Sequence, residues 1–325
     1  MLTAIGLCLA GLLALIVGAE LLTRGGSTLA GRLGVPPIIV GLTIVAVGTS
    51  APELAVGIDA AYKGNGALAV GNIAGTNTAN ILLILGMSAL ISPLALHLQT
   101  LKLDLPAMVF AAVALWALSL DGNLTPIEGG ILVALGAFYT ALVVRAARRE
   151  SRAMRREFKE EYPVNQLTGR IRRDFLQPLA ALTGGIIVIV FGADWLVDGA
   201  VSIARLWGVS DAFIGLTIVA IGTSSPEFVT TLISTLQNRR DIAIGNLLGS
   251  SVYNIVFILG ATCLLSPDAI PVPRGLITLD IPVMALVALA CIPVFISGRQ
   301  VSRPEAAFFV GSYIVYLSYL VVART

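Results

Sequence analysis

The sequence predicts an all-α, polytopic membrane protein: ten transmembrane helices arranged as two five-helix repeats of opposite topology. Three observations carry that expectation. Hydrophobic residues fill 57% of the 325 positions and charged ones only 12%, against roughly a quarter charged in a soluble domain. Apolar runs of about 20 residues, enough for a helix to cross about 30 Å of hydrocarbon, recur along the whole chain. Finally, residues 34–86 match residues 208–260 without a gap, at a constant offset of 174.

The apolar windows between charged or Pro/Gly-rich breaks fall near residues 2–22, 36–61, 67–90, 104–120, 127–145, 177–204, 212–236, 242–265, 279–297 and 305–323. The first has no basic residue before it and no small-residue cleavage site after it, so it reads as a retained helix rather than a signal peptide. Cys8, Cys263 and Cys291 all lie inside apolar runs without disulfide or metal spacing, as small buried hydrophobes do.

Charge distribution sets the orientation. Residues 145–177 hold ten of the 21 Lys and Arg, offset by Glu150, Glu157, Glu160, Glu161 and Asp174. The stretch "RAARRESRAMRREFKEE" has helical charge spacing, which reads as a solvated helix at the membrane surface. If this loop is cytoplasmic, seventeen of the 21 basic residues face inward and only Lys63, Arg205, Arg274 and Arg324 face outward. That is a strong positive-inside bias. Five spans precede the loop, so both termini face outward. The expectation is a multi-pass cell-membrane protein whose partners are ions and the lipid bilayer, acting as a monomer, with no nucleic acid, no cofactor and no enzymatic activity.

The repeat is specific. "GLTIVAVGTSAPE" lies over "GLTIVAIGTSSPE", and "GNIAGTNTANILLILG" over "GNLLGSSVYNIVFILG"; about 22 of 53 positions are identical, far beyond a chance match of apolar segments. Residues 1–145 form the first five-helix repeat (motif 34–86), 146–176 the cytoplasmic Arg-rich linker helix, and 177–325 the second repeat (motif 208–260). An odd number of spans per half brings the second copy in from the opposite side. Secondary transporters use this plan, with the substrate site near the midplane where interrupted helices meet.

Each motif places a proline and an acid in hydrocarbon: "GTSAPE" at 48–53 and "GTSSPE" at 222–227. Pro52 has no N–H, and its ring clashes with the carbonyl of Gly48. The helix should open there, taking the carbonyls near Ala46, Val47 and Gly48 out of the regular ladder. In lipid such backbone must line a cavity or an ion site. Thr49 and Ser50 add hydroxyls, Glu53 a carboxylate one turn from Thr49, and the next span Thr76 and Asn80 on one helix face. The second copy supplies Thr223, Ser224, Glu227, Ser250 and Asn254.

All of these donors are oxygen, which suits calcium and sodium. Transition metals want Cys or His, and the single histidine, His97, falls in a loop. Two glutamates match one calcium or two monovalent cations, and competition for one site is the basis of antiport. Intramembrane acids are costly and functional by default, whereas Thr76 or Ser250 taken singly reads equally well as a packing residue. Glu20, Asp194 and Asp198 read as ion-pair partners of Arg24 or Arg205, or as side chains reaching to the interface, ahead of ion binding. Asp104 and Asp280, each two residues before a proline, read as helix N-caps.

These motifs resemble the alpha-repeats of the calcium/cation antiporter superfamily, in its sodium/calcium exchanger branch and prokaryotic form, over effectively the whole chain. The resemblance implies an antiporter exchanging sodium for calcium by alternating access, with spans one and six as a sliding pair. It implies Thr49, Ser50, Glu53, Thr76, Asn80, Thr223, Ser224, Glu227, Ser250 and Asn254 as cation ligands, with carbonyls from Ala46 and Ala220. One position departs: well-known exchangers of the branch carry Asp where this chain has Asn254, which bears on the sodium count and the charge moved per cycle. The alternative reading is proton-coupled calcium antiport, whose branch lacks the GTSxPE form.

Overall fold

The computed structural model describes residues 1–33, 35–96, 98, 100–149, 171–207 and 220–324. The chain is predominantly helical. Among the described residues seven helices are long and apolar enough to cross a membrane, or eight if the bent pair Pro37–Thr49 and Ala51–Tyr62 is one span.

The first half runs α1 (Leu2–Leu33), α2 (Pro37–Val40), a π-helical stretch, α3 (Ala46–Thr49), α4 (Ala51–Tyr62), α5 (Gly66–Ala79), the π-helix Asn80–Leu85, α6 (Gly86–Ile91), strand β1 (Leu94–Ala95), α7 (Leu105–Leu118), β2 (Asn123–Leu124) and α8 (Pro126–Arg149). The second runs α9 (Ile171–Leu206), α10 (Ala220–Thr223), α11 (Ser225–Leu236), α12 (Arg240–Tyr253), the π-helix Asn254–Leu259, α13 (Gly260–Leu265), β3 (Ile270–Pro271), α14 (Ile281–Ile296), β4 (Gln300–Val301) and α15 (Arg303–Arg324). The sequence repeat is thus also a repeat of elements: α4 and α11 each have 12 residues, α5 and α12 each 14, and each π-helix six. Most of the expected linker helix, and residues 208–219 of the second motif, lie outside the described residues.

Two compact units form. One comprises Met1–Thr49, Val143–Asn246 and Leu317–Thr325; the other comprises Ser50–Leu142 and Leu247–Tyr316. In the first, α1 and α9 pack along their lengths through glycines seven residues apart. A Cβ on Gly11 would lie 2.6 Å from the Gly192 carbonyl oxygen, one on Gly18 2.9 Å from that of Gly185, and one on Gly25 2.8 Å from that of Pro178. Gly199 answers from α9 against the Ala4 carbonyl at 2.7 Å. The descending order of partners makes the pair antiparallel, and backbone-to-backbone approach of this kind replaces the hydrophobic drive that lipid removes. α1 also outruns the apolar window that ended at residue 22, reaching Leu33. Its last third is polar, yet Thr23, Gly25, Gly26 and Ser27 are buried, and Arg24 pairs with Glu20 as expected.

In the second unit two short antiparallel bridges join the halves: Leu94 pairs with Val301, and Leu124 with Ile270. Each half therefore gives one strand to each bridge. At the start of α8 Thr125 and Glu128 cap each other reciprocally, and before α15 the Ser302 N–H and hydroxyl both donate to the Glu305 carboxylate. The N-cap reading of Asp104 and Asp280 is corrected. Both precede their helices with αR backbone and make no side-chain cap bond, because a π-helical turn already leads into each helix. Instead Tyr139 of α8 donates to Asp104 Oδ1 at 3.0 Å, and Tyr316 of α15 to Asp280 Oδ1 at 2.8 Å.

Two outcomes follow for purified protein in detergent. Gly11→Val should lower the thermal midpoint, through an overpacking cost of about 1–3 kcal/mol, while Gly6→Val should not, since a Cβ there meets nothing within 4 Å. Tyr139→Phe removes a buried donor from Asp104 and should cost about 1–3 kcal/mol in the same measurement.

Candidate functional site

The proline motifs break their helices where the sequence placed the interruption. α3 ends at Thr49, Ser50 takes φ −85° and ψ 12°, and α4 starts at Ala51 with a 43° change of direction. In the second copy Ser224 takes φ −85° and ψ 2° between α10 and α11. Pro52 and Pro226 fall in the first turn of the new helix, where a missing N–H costs nothing. Glu53 and Glu227 come one residue later, in the same first turn. A carboxylate there meets the positive end of the helix dipole. Both glutamates are wholly buried.

Ser50-x-x-Glu53 and Ser224-x-x-Glu227 spell a capping box, but neither serine makes a side-chain capping bond. Ser50 Oγ turns to Ser250 Oγ at 3.4 Å. The glycine opening each motif has a packing reason: a Cβ on Gly48 would strike Ile186 of α9 at 2.4 Å, and one on Gly222 would strike Val197 at 2.2 Å. The one serine by which the second motif differs, Ser225, donates to the Gly222 carbonyl at 2.6 Å and so ties off a carbonyl at the break.

The expected oxygen donors are divided between the two units. The second unit holds Ser50, Glu53, Thr76 and Asn80 of the first repeat with Ser250 and Asn254 of the second; all six are buried, none more than 3% exposed. Asn80 and Asn254 each open a π-helical turn, a local widening that recurs at functional sites. Neither the oxygen nor the nitrogen of the Asn80 amide, nor Asn254 Oδ1, has a hydrogen-bond partner among the described residues. Buried amide oxygens left unpaired cost about 1–3 kcal/mol each, and a hard cation is the kind of ligand that would satisfy them.

The first unit holds Ala46 and Thr49 with Ala220, Thr223, Ser224 and Glu227. Thr49 Oγ1 donates to Asn246 Oδ1 at 3.2 Å and lies 3.3 Å from the Ala46 carbonyl. The Asn246 amide continues to Thr231 Oγ1 at 3.2 Å, and beyond it Thr23 of α1 meets Ser234 at 3.1 Å. Sequence reasoning missed Asn246, though its signal was visible: it is the asparagine of "GNLLG", matched by Asn72 in "GNIAG". It also missed Asn77, which has no repeat mate, since position 251 is serine. Asp59 pairs with Lys63 at 2.7 Å on the exposed end of α4.

This arrangement can be compared with known proteins. Residues 3–145 and 178–322 match the family described as sodium/calcium exchanger protein. Inner membrane protein YrbG of Escherichia coli is 35% identical over 330 residues, covering 98% of this chain and 97% of YrbG. Sodium/calcium exchanger MaX1 of Methanosarcina acetivorans is 32% identical over 337 residues, covering 95% of this chain and 96% of MaX1. A solved structure of the sodium-calcium exchanger NCX_Mj aligns with a TM-score of 0.84 at 27% identity, over 98% of this chain and 99% of that one. With a polytopic helical architecture, a duplicated proline-and-acid motif and a family match across both halves, the chain belongs to the sodium/calcium exchanger family.

Proposed function

We propose that this chain is a secondary active antiporter exchanging sodium for calcium by alternating access, with ten spans in two inverted five-helix repeats. The observation that carries the reading is the pair of wholly buried glutamates, Glu53 and Glu227, each placed by the same break in a duplicated motif. Charge in an apolar span is expensive enough to be kept only for a partner of opposite charge. The ion site sits near the bilayer midplane and draws on both repeats. Its oxygens come from Glu53, Glu227, Thr49, Ser50, Thr76, Asn80, Thr223, Ser224, Ser250 and Asn254, with the carbonyls of Ala46 and Ala220. Both termini face outward and the Arg-rich linker faces the cytoplasm. Because MaX1 and NCX_Mj are named as sodium/calcium exchangers, sodium is the favoured counter-ion over the proton. The glycine-packed α1 and α9 are the pair that moves.

Calcium uptake into proteoliposomes, with and without an outward sodium gradient, tests the coupling. Uptake that follows a proton gradient and ignores sodium would overturn it. Glu53→Gln and Glu227→Gln should each abolish uptake while leaving the protein folded, since each removes half the charge that offsets calcium's dehydration in a low-dielectric site. Near wild-type uptake by either variant would reject the assignment.

The charge balance makes a second prediction. Asn254 offers an oxygen but no charge, so two carboxylates are neutralised by one calcium or two sodium ions. Calcium flux should then be insensitive to a clamped potassium diffusion potential. Asn254→Asp adds a carboxylate among others, whose mutual repulsion raises its affinity for protons. That variant should acquire a pH dependence, losing flux as protons compete at lower pH. Wild-type flux that follows voltage would require a further intramembrane acid.

A further inference from the structure

The two repeat-matched asparagines, Asn80 and Asn254, are both wholly buried, but only one is held. Asn254 Nδ2 donates to Asn77 Oδ1 at 3.1 Å. Asn77 Nδ2 in turn donates to the backbone carbonyl of Ser251 at 3.0 Å. The direction of this relay is dictated by its far end. A backbone carbonyl can only accept, so Asn77 must present its NH₂ to Ser251 and its oxygen to Asn254. Asn254 must then answer with its own NH₂. Its oxygen is thereby turned away from Asn77, and it is this atom that has no partner among the described residues.

The first repeat has no such device. The position matching Asn77 is Ser251, whose hydroxyl is engaged with the Leu247 carbonyl at 2.8 Å, and Asn80 has no partner on either end of its amide among the described residues. Asn77 is only 3% exposed and Ser251 only 1%, so water does not substitute readily for the bonds between them.

We propose that Asn77 is a positioning residue for ion binding: with the Ser251 carbonyl it locks the Asn254 amide so that the oxygen, not the NH₂, is presented to the cation. The inference rests on the reading of Asn254 as an ion ligand. A primary amide is a donor at one end and an acceptor at the other, and the two ends differ little in shape. An unrestrained asparagine therefore places N–H dipoles toward a cation in part of its population, which weakens binding. A carboxylate has two equivalent oxygens and needs no such orientation. The lock matters only while residue 254 is an amide.

That condition supplies the test. Apparent calcium affinity is measured from radiolabelled calcium uptake by proteoliposomes containing wild type, N77L, N254D and N77L/N254D. Leucine keeps the branched four-heavy-atom outline of asparagine without its polar atoms, and thermal midpoints of all four are recorded. N77L should weaken calcium affinity about 10- to 100-fold, the usual range for residues that orient metal ligands, with turnover at saturating calcium retained. In the N254D background the same change should cost less than about twofold or improve affinity, because it removes an amide oxygen facing a carboxylate. If N77L does not fold, N77S keeps the position small and polar and should show the same dependence on background. Equal losses in both backgrounds would make Asn77 a packing residue and overturn the proposal, as would an unchanged affinity for N77L alone. E53Q is run alongside. If it transports calcium, the ion-site reading itself fails, whereas an inactive E53Q with an unaffected N77L removes only the role of Asn77.

Discussion

Removing two carboxylates from water is the constraint around which the rest of this chain is organised. An intramembrane acid on an unbroken helix has only hydrocarbon and its own saturated backbone for company, at a cost of several kcal/mol. Glu53 and Glu227 avoid that situation because proline and serine end one helix and begin another immediately before each of them. The new N-terminus brings the positive end of a helix dipole to the acid. It also leaves hydroxyls uncommitted to capping. The sequence G-T-S-x-P-E is therefore one device: glycine lets the broken segment lie against α9, proline fixes the new start, and the acid occupies the first turn.

Holding such breaks in lipid requires a frame in which backbone polar groups are buried in protein. The glycine faces of α1 and α9 supply part of it. Side-chain-free contact at intervals of seven residues lets two helices of 32 and 36 residues approach closely along much of their length. Large residues flank the seam, with Leu15, Leu22, Leu182 and Ile189 in one buried cluster. The Asp104–Tyr139 and Asp280–Tyr316 pairs do similar work in the other unit. Each anchors the start of one helix to the middle of another by a hydrogen bond between side chains distant in sequence.

The repeats are alike in backbone and unlike in hydrogen bonding. Asn80 and Asn254 each open a six-residue π-helical turn, yet among the described residues only Asn254 meets a side chain that bonds its amide. A duplicated scaffold thus carries two asparagines of unequal freedom, and the difference comes from one position, Asn77 against Ser251.

Membrane residence, the duplicated motif, the two helix breaks and the acids that follow them were legible in the sequence, because each depends on local chemistry: hydropathy over a window, the missing N–H of proline, self-similarity at a fixed offset. The full length of α1 was not, since the stretch Thr23–Ser27 is not apolar by composition, and Thr23, Gly25, Gly26 and Ser27 become buried helix only against neighbouring helices. The roles of Asp104 and Asp280 were misread for a related reason. A local rule placed them as N-caps, and tyrosines 35 and 36 positions away claimed them. Asn77 left no trace in the repeat and its partner lies 177 positions along the chain; Asn246 carried the repeat match, but its bond to Thr49, 197 positions away, did not show in the sequence. A sequence determines which groups can donate and which can accept, but the direction in which a buried amide points is set by the one neighbour that cannot change its role. For Asn254 that neighbour chain ends at the Ser251 carbonyl, and only the tertiary structure brings Asn77 between them.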